Sequence, residues 1–433
     1  MDAYTKHLTN IRDTNTVVAT ADICNAQGQL LVPTGAKIDE AATNRIVKFK
    51  LLKPIEECVA IEKDLDAKRL KIKIMEYVFA DPFLAEINML NDVSSLLQRC
   101  CEAYERYPLL RQKMTVMSIE LDRTFQNALF SSWFSVLISS QYWPDERYAH
   151  CAFIAALTHD IGLMHIAPDI MLKEKDLTTN EIKQIHAHPI IGYRILSGIG
   201  SLPVTIAAGV KEHHENTDGT GFPAGKSGKD FNEFGRLIHL LDNAFGVYEK
   251  HVKPLGRSVV DIVPVMTMNY HTRANPLFVT FVNILRTCGT SAERVISDEM
   301  VLPIIEKTLQ GHEFVHRFLE SKKDIIEKFG HKHGNARLFA IQNAYLHIYN
   351  LMSESGLINE PYMRWLEMVQ EQCLSHAYDE VEEAYLMLCE IVFQVQRIKQ
   401  FARVFFEDPR NTALLEKAPK IMDQINVDDV PFF

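Results

Sequence analysis

Residues 147–162 read Arg147-Tyr-Ala-His-Cys-Ala-Phe-Ile-Ala-Ala-Leu-Thr-His159-Asp160-Ile-Gly162, a helical run that ends on an imidazole and a carboxylate side by side. One and two turns before His159 stand Ala155 and Ala152, small residues that let a neighbouring helix come close. Further along, Thr178-Thr-Asn-Glu181 has the pattern of a capping box opening a helix. That helix is expected to carry His188, and Pro189, which lacks an amide donor, is expected to kink it beside the histidine. Pro203 fits the first turn of a third helix ending on His213-His214. Asp242 lies in a fourth helical stretch, Arg236 to Phe245, bordered by Leu237, Ile238, Leu240 and Leu241. The expectation is that four helices bring His159, Asp160, His188, His213, His214 and Asp242 to one point.

Of the chain's 17 histidines, eight (150, 159, 165, 186, 188, 213, 214 and 239) fall between positions 150 and 240, more than twice an even share. Clustered neutral imidazoles are what a metal site needs. Imidazole and carboxylate donors without a thiolate favour iron, manganese or zinc over a soft metal, and a carboxylate such as Asp160 can bridge two ions. Two ions about 3.5–4 Å apart stabilise both the entering and the leaving oxygen of a phosphoryl displacement, so the implied chemistry is hydrolysis of a phosphodiester. Taken singly, His150, His165, His186 and His239 read as ordinary structural histidines. Between His214 and Asp242 runs Glu215-Asn-Thr-Asp218-Gly-Thr-Gly221-Phe222-Pro223-Ala-Gly225. Its glycines permit positive φ and close backbone approach to a ligand, although such a loop in isolation is an ordinary turn.

As an ordered set, His159-Asp-Ile-Gly162, His188-Pro189 with Gly192, His213-His-Glu215, Asp218-Gly-Thr-Gly221-Phe-Pro223-Ala-Gly225 and Arg236 to Asp242 resemble the HD-GYP branch of the HD-domain metallohydrolases. The resemblance covers roughly residues 115–288, with Asn275-Pro276-Leu277 through Leu285 matching the final helix of such domains. It implies an all-helical, metal-dependent phosphodiesterase fold in second-messenger signalling, acting on cyclic di-GMP or a related cyclic dinucleotide and opening it to a linear dinucleotide or GMP. It also implies two divalent transition-metal ions, iron or manganese ahead of zinc. Carried over residue by residue, His159 and Asp160 are metal ligands with Asp160 bridging. His188, His213 and His214 serve the second ion or the phosphates, and Asp242 closes the first ion's shell. Asp160, His213 and His214 carry the catalytic step, and Gly221, Phe222 and Pro223 contact the substrate.

Three positions depart from the family pattern. Gly221-Phe222-Pro223 stands where the family has Gly-Tyr-Pro, which keeps the ring and loses the phenolic hydroxyl. Counting back 32 residues from His159, the family's spacing to its first ligand histidine, lands on Asn127. An amide oxygen is a weak substitute ligand there, with the nearby carboxylate of Asp122 as another donor. Asn127 shares a helix face with Phe130 and Phe134, which predicts that it points inward. Leu163 replaces the lysine that follows His-Asp-Ile-Gly, and Phe245 stands where many members keep a carboxylate. These changes weaken the expected activity. They leave open a reading from another class, a degenerate receptor or scaffold that binds metal or nucleotide without efficient turnover. A different phosphate substrate is a third possibility.

The rest of the chain sets the frame. With 433 residues, 47% hydrophobic and 24% charged, it is globular and long enough for two to four folding units. A formal charge of −10 argues against coating a nucleic-acid polymer, while a small phosphorylated ligand remains compatible with a local metal cluster. Eight cysteines without a CxxC pair, and no signal-like start, point to a reducing cytoplasm. The uncharged stretch Thr124 to Pro144 holds five serines, two glutamines and Asn127, too polar for a membrane span, and reads as a buried helix. Thr16 to Ile23 and Leu30 to Val32 read as short strands, and the chain reads as helical from Asp39 onward. The charged run Glu62 to Lys73 looks like a connector or a solvated helix face. From Ser291 helix dominates. Leu388, Ile391, Val392, Val395, Ile398 and Val404 form an apolar stripe suited to a core or to a partner helix, so a helix-mediated partner or a homodimer is expected through this extension. The predicted organisation is a mainly α chain: a small N-terminal α+β module with a sensory role expected (1–114), an HD-GYP-like helical bundle (115–288) and a helical C-terminal extension (289–433).

Overall fold

The computed structural model describes residues 3–411 apart from 172, 174–176, 229, 270–274, 289–297, 330–334 and 355–359, together with 414 and 416. The expected boundary at 288/289 and the start of the extension at Ser291 thus fall at or outside the described residues.

The N-terminal module begins with α1 (Ala3–Asn10) and contains four short strands, β1 (Val17–Ala19), β2 (Ile23–Cys24), β3 (Leu30–Val32) and β4 (Val59–Ile61). β1 pairs antiparallel with β4, Val17 opposite Ile61, and β2 pairs antiparallel with β3, Ile23 opposite Val32. The strand β4 corrects the expectation of uninterrupted helix after Asp39. Asp39 does cap a helix, α2 (Glu40–Ile46), by accepting the Ala42 amide, but that helix lasts only two turns. Val59-Ala-Ile61 then alternates buried, exposed, buried, the period of a strand.

Helices take over from α3 (Ala67–Phe79), capped by Asp66, which buries Leu70, Ile74 and Val78 at four-residue intervals. Lys68 and Lys73 of the charged run lie exposed on its remaining surface. There follow α4 (Pro82–Leu90), α5 (Ser94–Glu105), α6 (Pro108–Glu120) and α7 (Asp122–Tyr142), with proline in the first turn of α4 and of α6. α7 is the stretch expected to be buried, and it is, almost without break from Phe125 to Ser139. Two of its serines are satisfied locally, Ser132 donating to the Leu129 carbonyl and Ser135 to that of Ser132. Among the described residues no helix is long and apolar enough to cross a membrane.

Next come α8 (Glu146–Thr158), a 3-10 turn (Ile161–His165), α9 (Pro168–Met171), α10 (Thr179–Ile185), α11 (His188–Ser197), α12 (Val204–Glu212) and α13 (Glu233–Val247). The capping box forms as read: Thr178 accepts the Glu181 amide and Glu181 accepts the Thr178 amide. The kink does not form. α10 stops at Ile185, a fresh helix starts at His188, and Pro189 sits in its first turn, where a missing donor costs nothing. Gly162 explains why the turn after Asp160 can touch this helix start. A Cβ there would lie 2.1 Å from the His188 carbonyl oxygen, so only glycine lets the two backbones meet.

The remaining helices are α14 (Val263–Asn269), α15 (Pro276–Leu285), α16 (Asp298–Phe329), α17 (Ala336–Glu354), α18 (Glu360–Gln372) and α19 (Tyr378–Phe406). The stripe foreseen on α19 is core: Leu388, Ile391, Val392, Val395 and Ile398 pack with Phe314, Val315, Ala344 and Ile348. The molecule is mainly α, a helical bundle with a small N-terminal α+β module and a helical extension. By packing, it forms two compact units, residues 1–214 with 231–242, and residues 215–230 with 243–433. These units do not follow the sequence-order division at 114/115 and 288/289.

Candidate metal centre

His159 follows the last residue of α8, and Asp160 precedes the 3-10 turn. His188 opens α11, His213 follows α12, and Asp242 lies within α13. Placing the ligands at helix ends, where carbonyls lack helical partners, gives each ring something to hold. The Nδ1 of His159 lies 2.7 Å from the Ala156 carbonyl, that of His188 2.8 Å from Ile185, and that of His213 2.6 Å from Val210. A carbonyl only accepts, so each Nδ1 carries the proton and donates it. Each Nε2 is thereby turned inward, where in the neutral ring it is the atom that can bind a cation.

These nitrogens fall into two groups around the two oxygens of Asp160. Oδ1 lies 3.2 Å from His188 Nε2 and 3.8 Å from His213 Nε2, and those two nitrogens are 3.3 Å apart. The His214 ring packs on both, its centroid 4.1 Å from that of His213 and 4.9 Å from that of His188. Ligand atoms of Asp160, His188, His213 and His214 all lie within 4.8 Å of one another, a grouping that can hold a metal ion. Oδ2 of Asp160 faces the other way, 3.3 Å from His159 Nε2, which is 3.9 Å from Asp242 Oδ1.

Asn127 completes this second group, buried on α7 as the face it shares with Phe130 and Phe134 predicts. Its amide NH2 donates to Asp242 Oδ1 at 2.8 Å and faces His159 Nε2 at 3.3 Å, while its oxygen accepts from Ser131 at 3.1 Å. It therefore reaches the site, but with donors rather than its ligating oxygen. Asp122, the other substitute considered, is exposed at the start of α7 and accepts from Gln126. Leu163 packs in an apolar group with Ile166 and Ile170, and Phe245 is buried, so neither position offers a charge.

The electrostatics divide along the same line. Burial opposes a charge on His159, but the adjacent Asp160, helped by Asp242, outweighs it and raises this imidazole to about 9. Burial likewise opposes ionisation of Asp160, and its histidine neighbours overcome it, holding the carboxyl well below its usual range. His213 and His214 are held well below the ordinary imidazole value, by burial first and by neighbouring imidazoles second. Burial raises Asp242. In the three-histidine group, then, two Nε2 atoms 3.3 Å apart lie beside an ionised carboxylate, a donor set of the kind that holds a cation.

Two residues beside the ligand positions have roles that the sequence did not assign. His239, set aside as structural, donates from Nδ1 to the His213 carbonyl at 3.0 Å. Glu215 folds the glycine-rich loop by accepting the amides of Ala224 at 2.6 Å and Lys226 at 2.8 Å. Gly221, Phe222 and Pro223 lie on that loop.

Residues 102–254 match the family model described as HD domain. A cyclic di-GMP phosphodiesterase response regulator, RpfG, from Xanthomonas campestris is 32% identical over 107 residues, 24% of this chain and 28% of the relative. A cyclic di-GMP phosphodiesterase from Thermotoga maritima is 30% identical over 135 residues, covering 30% and 37%. A 3'3'-cGAMP-specific phosphodiesterase from Vibrio cholerae is 29% identical over 122 residues, covering 28% and 26%. The chain thus spans roughly a quarter to two fifths of the length of these relatives. Helices that gather His-Asp, two further histidine segments and a distal aspartate, over the matched residues, make this an HD domain. Within that class, the relatives similar to this region are named as cyclic dinucleotide phosphodiesterases.

Proposed function

We propose that this protein hydrolyses a phosphodiester bond of a cyclic dinucleotide, cyclic di-GMP first, with divalent metal bound at the His/Asp cluster. The observation that supports this most is the division of Asp160, one oxygen facing His188 and His213 and the other facing His159. That is the arrangement of a carboxylate shared by two cation positions. Two ions of unequal affinity fit it: a tight one at Asp160, His188, His213 and His214, and a weaker one at His159, Asp160 and Asp242, where Asn127 offers an oxygen only if its amide turns over. Iron or manganese suits these donors, with zinc third.

Bound metal supplies Lewis acidity toward phosphoryl oxygens and activates water at neutral pH. The chain's own groups do the rest. Asp160 stays ionised and holds both positions together. His213 is fully buried and neutral, fixed by the Val210 carbonyl, and orients the site. His214 and Asp242 keep about a quarter of their side-chain surface open, 25% and 26%, and are the groups through which a phosphate reaches the centre. The relatives named for cyclic di-GMP or 3'3'-cGAMP support the substrate class. In the loop, Gly221, Phe222 and Pro223 contact the nucleotide, Phe222 by stacking on a base. The catalytic part corresponds to residues 115–288, with 1–114 as a sensory module and 289–433 as an extension for a helical partner or a second copy, in the cytoplasm.

The donor-side orientation of Asn127 favours a second reading, in which the chain binds one ion and the nucleotide but turns over slowly. Protein purified without oxygen, reconstituted with iron or manganese and given cyclic di-GMP and 3'3'-cGAMP, separates the two. Linear dinucleotide or GMP formed with the bound metal supports hydrolysis; stoichiometric nucleotide binding without product supports the receptor, and the absence of both product and binding sinks both readings.

A further inference from the structure

We propose that Arg337 of the C-terminal extension is a positioning residue for the loop carrying Phe222, so that α17 sets how well the protein holds its nucleotide. The proposal rests on the reading of that loop as a nucleotide contact. Arg337 stands in the first turn of α17, where Asn335 caps the helix by accepting the amides of Arg337 and Leu338. Its guanidinium donates to the Gly221 carbonyl at 3.3 Å and to the Pro223 carbonyl at 3.5 Å. These are the carbonyl oxygens of the two residues that flank Phe222.

The two surfaces are fitted to each other. Gly225 has φ +65°, and a Cβ there would lie 2.9 Å from the Arg337 Cζ, so the loop backbone rests directly against the guanidinium. On another side that group lies 5.5 Å from the centre of the Phe401 ring of α19. Phe401 in turn packs on the cluster of Leu338, Ile341, Ala402, Phe405 and Phe406, which ties α17 to α19. The loop, meanwhile, is closed internally by Glu215, which accepts the Ala224 and Lys226 amides. A planar fork donating to two carbonyls is a geometry lysine cannot reproduce. The extension therefore does more than add core: one of its arginines holds the loop from outside the residues of the HD-domain match.

The test uses the full chain, metal-loaded, as wild type, Arg337→Ala, Arg337→Lys and Phe222→Ala. Exchange at the loop amides, including those of Ala224 and Lys226, is read without nucleotide, and KM and kcat, or Kd where turnover is slow, are read with cyclic di-GMP. For Arg337→Ala we expect loop exchange to accelerate about tenfold, KM to rise about fivefold with kcat within twofold, and metal content to be unchanged, with the lysine variant intermediate. Unchanged loop exchange overturns the proposal, as does a fall in metal content, which would place the effect in the whole fold. If Phe222→Ala raises KM and Arg337→Ala does not, the loop keeps its role and Arg337 loses its own. If neither variant changes KM, the loop is not a nucleotide contact and the proposal falls with it, whereas absence of any nucleotide binding by the wild type refutes the proposed function itself.

Discussion

The two sides of Asp160 are built from similar donors and differ in what fills the gap between them. On one side three imidazoles meet an ionised carboxylate, with two Nε2 atoms 3.3 Å apart. On the other, His159 and Asp242 are bridged by the amide NH2 of Asn127. The first side gathers four metal-type donors at short range; the second is tied together by the Asn127 amide. A metal site is thus defined as much by how its donors are tied to their neighbours as by which donors it has. In the proposed two-ion reading, the amide at position 127 on α7 turns half of the centre toward a satisfied polar network.

The sharpest way to break this contrast is to remove the group common to both sides. For Asp160→Ala we expect metal affinity to fall by more than about a hundredfold at both positions, and turnover with it, as read by elemental analysis and product formation. Removing His213 should cost the three-histidine side alone by a similar factor. Asn127→His supplies the missing imidazole and should raise metal content toward two ions per chain, with turnover increased about tenfold or more. No gain in metal would show that the second side is weak for another reason.

Proton linkage sharpens the same comparison. His159 is raised to about 9, so below that pH a metal entering its side must displace a proton; loading there should strengthen as pH rises from 7 and level off near 9. His213 and His214 are lowered and already neutral at pH 7, so their release of protons should not limit loading over that range. Calorimetric titrations in buffers of different ionisation enthalpy count the protons released at each step. The smallest effect is expected at His239→Ala, which removes the donor to the His213 carbonyl and leaves the ligands in place. A fewfold loss of affinity on the three-histidine side would be in keeping with an indirect support.

Much of this was legible in the sequence where spacing and chemistry coincide. The His-Asp pair at the end of α8, the capping box at Thr178 and the buried, serine-rich α7 follow from local rules. β4 was hidden because three residues of alternating burial carry too short a pattern to compete with flanking helical composition. Pro189 was read as a kink because a proline inside a helix and one in the first turn look alike until the helix start is known. The inward face of Asn127 was readable, yet which end of its amide meets His159 depends on Ser131 and Asp242, the latter 115 residues away. Contacts of that kind, like Arg337 with Gly221, 116 residues apart, leave no periodicity to read.

The most direct test is a titration of metal-free protein with manganese or anaerobic iron at pH 7, followed by elemental analysis after desalting. One ion per chain should be retained tightly by the wild type and by Asn127→Ala, and lost in His213→Ala. Full retention in His213→Ala, or no retained metal in the wild type, would contradict the assignment of the three-histidine side as the cation site.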